Sequence, residues 1–166
     1  MVLIKRQRRA FSMIELVFVI VIIGILAAIA VPKFAMTRGD AIMTKAKTTV
    51  ASIRNSISME RQKRILQGDF DTITKLGEDS EASGDPVFNG FDGNTSKPVL
   101  SYPPSSCETT SSTSCWYRST SGSGTSDDPT KYTFNLPTSG SVVFLLQNNR
   151  FECEDPDDQY CKELTQ

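Results

Sequence analysis

The chain has 166 residues, with 18 Lys and Arg against 19 Asp and Glu for a formal charge of −1, and it contains no histidine. That length suits one small domain plus an extended element. The missing histidine excludes His-based catalysis and His-ligated metal, and the charge balance offers no general phosphate-neutralising surface, so no direct nucleic-acid binding is expected. The balance is uneven along the chain. Lys5, Arg6, Arg8 and Arg9 fall in residues 1–10, which hold no acid, so the remainder carries 14 basic against 19 acidic residues, a charge of −5.

After this basic segment comes FSMIELVFVIVIIGILAAIAV, residues 11–31, in which only Ser12 and Glu15 are polar. About 20 apolar residues in a helix cross the hydrocarbon core of a bilayer, so the stretch predicts a transmembrane helix. The basic residues in front of it hold the amino terminus in the cytoplasm and send residues 33–166 across the membrane. Glu15 is the anomaly, because a carboxylate inside such a segment costs about 2.5–3.5 kcal/mol and marks a function. Two plainer readings compete. Ala28-Ile29-Ala30 has the form of an ordinary secretory cleavage site that would release residues 31–166, but it leaves Glu15 without a use. A simple anchor, with Glu15 reaching toward the headgroups, explains the topology but not the string from Ala10 to Glu15.

That string resembles the processing site of type IV pilins and type II secretion pseudopilins. In that family a short basic leader and a small residue precede an aromatic that starts the mature protein, with a glutamate four positions on. Here these are Lys5–Arg9, Ala10, Phe11 and Glu15. Pro32 stands where pilins often carry a helix-kinking proline. The family usually has glycine where this chain has Ala10, which is also small. The resemblance covers about residues 5–60. It implies a leader at 1–10, cleavage between Ala10 and Phe11 by a prepilin peptidase, and methylation of the new amine. It implies that Glu15 of an incoming subunit pairs with the terminal amine of its neighbour. It further implies a filament core of Leu16–Val31 helices, in which Gly24, Ala27, Ala28 and Ala30 allow close approach. The implied partners are other pilins or pseudopilins, the peptidase, an inner-membrane assembly platform and the lipid bilayer. The location is the bacterial inner membrane, single-pass with the carboxy-terminal domain in the periplasm, and then a periplasmic or surface filament. A type IV pilus, a secretion system and a DNA-uptake machine all remain open as the setting.

The helical pattern continues past Pro32. Ile42, Ala46, Val50, Ile53 and Ile57 recur at steps of three and four, one stripe of an α-helix. Residues 33–68 are thus the amphipathic outer half of a helix running from Phe11 to about Gln67, with Gly68 as C-cap. Pro32 should kink it and Gly39 is a second weak point. A coiled coil is the alternative for the outer half, but the stripe is short for one.

Residues 69–98 read as a connecting loop that opens with a short helix at 69–76. Between 101 and 130 there are 16 serines and threonines, a composition of exposed loops. Five short strands interrupt the polar background, at 99–102, 115–118, 132–136, 141–147 and 150–153. Asn148-Asn149 can supply a two-residue hairpin turn, and Val142, Phe144 and Leu146 alternate onto one face that suits the helix stripe. The expected fold is α+β: a long kinked amino-terminal helix packed by a small antiparallel sheet in residues 69–166. Pilins share that architecture.

Four cysteines at 107, 115, 153 and 161 allow three connectivities. Their spacing does not suit zinc, and an exported domain meets an oxidising compartment. The local pairs Cys107–Cys115 and Cys153–Cys161 are preferred, each closing a short loop worth about 2–3 kcal/mol. No catalytic constellation emerges. The serines lack a partner histidine, and Gly122-Ser123-Gly124 reads as a loop rather than a phosphate cradle. Some pseudopilins bind calcium in a carboxy-terminal loop, and Asp127, Asp128, Asp155, Asp157 and Asp158 are the candidate ligands here, against a solvated acidic turn. Asn94-Thr95-Ser96 is an N-glycosylation pattern, and with Asp92 two residues ahead it resembles the extended acceptor of some bacteria.

Overall fold

The structure is a computed structural model. It describes residues 11–78 and 83–166, with the side chains of residues 30–37 outside the description. The elements in chain order are α1 (Met13–Leu66), β1 (Cys115–Thr120), β2 (Thr130–Asn135), β3 (Ser141–Gln147), β4 (Arg150–Cys153) and α2 (Gln159–Thr165). The chain divides into two compact units, Met1–Arg38 and Gly39–Gln166.

In the second unit the strands form one antiparallel meander in sequence order, β1-β2-β3-β4. Register puts Trp116 opposite Phe134 and Phe134 opposite Val142; Tyr132 sits opposite both Arg118 and Phe144; Leu146 lies opposite Phe151. Because side chains alternate between faces, these rows make one apolar inner face. On it the rings of Phe144 and Phe151 stack with centroids 5.0 Å apart. The helix stripe meets the same core: Ala46, Val50, Ile53 and Ile57 are buried in it, and Ile42 packs against it from a half-buried position. Asn148 and Asn149 take positive φ between β3 and β4, as a tight hairpin turn requires.

Gly68 ends α1 in the left-handed region at φ 77°. Its N–H donates to the Ile65 carbonyl at 3.1 Å and the Asp69 N–H to the Arg64 carbonyl at 2.9 Å, the paired bonds of a Schellman cap. At Pro32 and Gly39 the backbone remains helical.

Three expectations are corrected. Residues 69–76 are not a helix. So short a segment cannot nucleate one on its own, and its N–H groups have other acceptors: Ile73 donates to Asn149 Oδ1, Thr74 to Asp92 Oδ1 and Leu76 to the Tyr132 hydroxyl. Residues 99–102 form no strand, since Pro98 and Pro103-Pro104 remove the ladder donors on both sides. Residues 69–98 are not merely a connection, because Ile73, Leu76, Val87, Phe88 and Phe91 are buried in the core. Phe88 is its hub, with ring centroids 5.0–6.0 Å from Tyr132, Trp116 and Phe151. It holds φ 62°, which a bulky residue adopts only where packing over-determines it.

Both disulfides are the local ones, Cys107–Cys115 and Cys153–Cys161. The first loop lies over the outer side of β2, where Asn135 Nδ2 donates to the carbonyls of Thr110 and Ser112. The second ties β4 to α2, an element not anticipated from the sequence. Asp158 caps α2 by accepting from the Cys161 N–H at 2.9 Å, and Cys161 and Leu164 face the core.

Candidate functional site

The first part of α1 falls in the unit before Gly39. Helix begins at Met13, directly after Ser12, and Glu15 lies in the first turn. That Ser-x-x-Glu spacing is the one a capping box uses, and the positive end of the helix dipole favours a carboxylate there. Phe11 is 78% exposed, and from Met13 to Ile29 every large apolar side chain is exposed, on all sides of the helix. Contiguous apolar surface of that extent marks an interaction site. Space around Gly24 is open where a Cβ would sit.

Among the described residues no helix is long and apolar enough to cross a membrane. The side chains of residues 30–37 are not described, so the expected span over residues 11–32 runs into those outside the description. Ala10 and the leader at 1–10 also lie outside the described residues, as does the Pro32 side chain on which the expected kink rests.

Several of the remaining candidates make local hydrogen bonds. Asp128 accepts from the Ser123 N–H through Oδ2 and from the Gly124 N–H through its carbonyl, while the Gly122 N–H goes to Thr130 Oγ1. The three N–H groups of that Gly-Ser-Gly run therefore face acceptors of their own turn. Asp155 accepts from the Asp157 N–H, Asp157 reaches Lys162 at 3.3 Å and Asp158 caps α2. Among the described residues, no three His, Cys, Asp or Glu side chains gather as a metal group. Asn94 is exposed and accepts from the Ser96 N–H at 3.0 Å.

Asp92 is committed elsewhere. Its Oδ1 accepts from the Thr74 N–H at 2.7 Å and the Thr74 hydroxyl at 2.9 Å, and its Oδ2 pairs with Arg64. Arg64 in turn donates to Glu60 at 3.1 Å. Burial pushes the Asp92 carboxyl up, but the Thr74 and Arg64 bonds and the guanidinium charge outweigh it and hold the group below its ordinary value. Burial likewise pulls Arg64 down, and its two carboxylate partners bring it above the ordinary value. The helix stripe thus continues past Ile57 as the buried pair Glu60 and Arg64, which an apolar period could not reveal. Two charged residues at i and i+4 beyond an apolar stripe were the available signal.

Residues 5–31 match the family profile described as the prokaryotic N-terminal methylation motif. The chain is similar to a fimbrial protein of Moraxella nonliquefaciens, 36% identical over 83 residues, which is 50% of this chain and 49% of that protein. It is also similar to a type IV narrow pilus major component of Thermus thermophilus, 43% identical over 53 residues, 32% of this chain and 46% of that protein. The chain spans about half the length of the curated relatives it matches. No solved structure is matched.

Proposed function

We propose that this chain, a member of the type IV pilin family by its amino-terminal motif, is a structural subunit of a pilus-like filament of the bacterial envelope. That family is structural and not enzymatic. The observation that carries the reading is the start of α1, where the large apolar side chains from Met13 to Ile29 are exposed on every side and one carboxylate, Glu15, stands in the first turn within the matched methylation motif. Such a surface needs cover from outside the chain. In the proposal the bilayer covers it first, with residues 11–32 as a single inner-membrane pass and residues 33 onward in the periplasm. Copies of the same helix cover it after assembly. A prepilin peptidase cuts between Ala10 and Phe11, and the filament serves adhesion, motility, secretion or DNA uptake.

In this scheme Glu15 accepts the charge of the methylated Phe11 amine on a neighbouring subunit, each ion offsetting the other's desolvation. A buried charge left without its partner costs about 3–5 kcal/mol, a factor of several hundred or more in an equilibrium. The test is Glu15→Val in cells that assemble the filament. The variant is expected to be cleaved and membrane-bound like the parent, yet nearly absent from sheared filaments. Equal filament-to-membrane ratios for both would remove the pairing role and favour a membrane-anchored periplasmic binding module that does not polymerise. Mass spectrometry of the mature chain should give a start at Phe11; a start at Val31 would refute the pilin reading.

A further inference from the structure

Of the six asparagines in the chain, Asn94 alone heads an Asn-x-Ser/Thr triplet, with Thr95 in the middle and Ser96 two residues on. Asp92 stands two residues ahead, as in the extended bacterial acceptor that the stretch resembles. The folded chain presents this stretch as a hydrogen-bonded knuckle. The Phe91 N–H donates to the Lys97 carbonyl, the Asn94 N–H to the Phe91 carbonyl and the Lys97 N–H to the Asn94 carbonyl, each at 2.9 Å. Asn94, Thr95 and Ser96 are exposed, whereas Phe91 is buried in the core. The Asn94 side chain bonds through Oδ1, which accepts from the Ser96 N–H at 3.0 Å. Its Nδ2 takes no part in that bond and is the atom that a sugar would join. The carboxylate is placed differently. Both oxygens of Asp92 face partners in the same chain, Oδ1 the N–H and hydroxyl of Thr74 and Oδ2 the Arg64 guanidinium.

We propose that Asn94 is an acceptor for an N-linked saccharide, attached before the domain folds, and that the Arg64–Asp92 pair then ends the reaction by withdrawing the acceptor's carboxylate. Transfer rests on the export of residues 33 onward in the reading above, though not on their polymerising. The donor is a saccharide on a lipid pyrophosphate at the outer face of the inner membrane. Asn94 Nδ2 bonds to the anomeric carbon as the bond from that carbon to the phosphate oxygen breaks. The pyrophosphate leaves with the bonding electrons, one amide proton passes to a base on the transferase, and nothing is oxidised or reduced. An anionic residue in an acceptor is read by a cation of the enzyme, and in the folded chain Arg64 already fills that place. Chain order supplies the window. Phe88 and Phe91 root the knuckle in the core, and the rings around Phe88 are those of Trp116, Tyr132 and Phe151. Phe151 follows Ser96 by 55 residues, so at about 5–20 residues per second the acceptor precedes its core by about 3–11 s. A sugar on Nδ2 leaves the Oδ1 bond and the three backbone bonds in place, so the modified chain closes into the same knuckle.

The test co-expresses the full chain with a periplasmic oligosaccharyltransferase and its lipid-linked oligosaccharide, and reads intact mass. One saccharide is expected on the parent and on Ser96→Thr, and none on Asn94→Gln or Ser96→Ala. Asp92→Asn should lower occupancy about tenfold, the loss that goes with one charged hydrogen bond. Pulse-labelled parent should gain the saccharide before the Cys153–Cys161 bond closes. Timing is also read on unmodified full chain purified in detergent, then given the transferase and the same oligosaccharide donor. The folded parent should react slowly, and Arg64→Gln, with the amides of β2 and β3 still protected from exchange, about tenfold faster because its carboxylate is free. An unmodified parent beside a glycosylated control acceptor in the same cells would overturn the site. Full occupancy on Asp92→Asn, transfer only after the disulfides close, or equal rates for the folded parent and Arg64→Gln would overturn the withdrawal of the carboxylate. A glycosylated chain from cells that assemble no filament would support the site and overturn the filament reading. Retention of residues 33–166 in the cytoplasm would overturn both.

Discussion

The two halves of α1 treat the same kind of side chain in opposite ways. From Met13 to Ile29 the large apolar residues are 41–83% exposed, whereas Ala46, Val50, Ile53 and Ile57 are at most 2% exposed. The difference lies in pattern and in cover. The outer half is apolar along one stripe, and the chain itself provides the matching surface about a hundred residues later, in Val142, Phe144 and Leu146. The inner half is apolar all round, and its described large apolar side chains are exposed. An apolar sequence therefore dictates that a surface must be covered, while its period tells whether the cover is internal or external.

The contrast breaks most readily with a pair of alanine variants. Phe144→Ala removes a fully buried ring and should cost about 3–5 kcal/mol, read as the urea midpoint of the full chain in detergent. Ile20→Ala should leave that midpoint where it is. An equal loss from both would mean that the inner half is part of the domain's own cooperative core. A smaller effect follows from replacing Cys153 and Cys161 together by serine, which should cost about 2–3 kcal/mol. Hydrogen exchange should locate the loss in α2, with the amides of α1 between residues 46 and 64 still protected. Uniform loss of protection would show α2 to be integral to the helix–sheet core.

The smallest effect sharpens the outer half's polar end. Asp92→Asn keeps acceptors for Thr74 but gives up the charge facing Arg64. Asp92 is one-third exposed, so solvent screening limits the loss to about 1 kcal/mol at neutral pH. The sign follows from a carboxyl held below its ordinary value. The parent's advantage is present above about pH 4, the unfolded value, and is lost as pH falls through the lower folded value. Stability curves of parent and variant that stay parallel from pH 7 to pH 2 would remove Asp92 as a titrating contributor.

The stretches legible in the sequence were those with a strong local signal. Periodicity gave α1 to within two residues at each end, alternation gave β3, and Asn148-Asn149 gave the hairpin. The amino-terminal motif was legible because it is local, its match confined to residues 5–31. What escaped depends on distant partners. Phe88 sits among glycines and a proline, and only rings from β1, β2 and β4 show that it is core. Residues 69–76 carry a helical-looking composition, yet their N–H groups bond to Asn149, Asp92 and Tyr132.

The placement of the two disulfides also bears on the margins of the sheet. Cys115 opens β1 and Cys153 closes β4, the two outermost strands of the sheet. Beside β1, Ser106 bridges to Trp116 and the Cys107 N–H donates to the Trp116 carbonyl. Beside β4, Arg54 occupies the Phe151 carbonyl. A sheet margin with vacant ladder groups is a template for amyloid-like zippering between neighbours. Here each margin is stapled to a short flanking segment or plugged by a guanidinium. Both margins are thereby withheld from pairing with a further strand, and reduction of the disulfides would release that restraint.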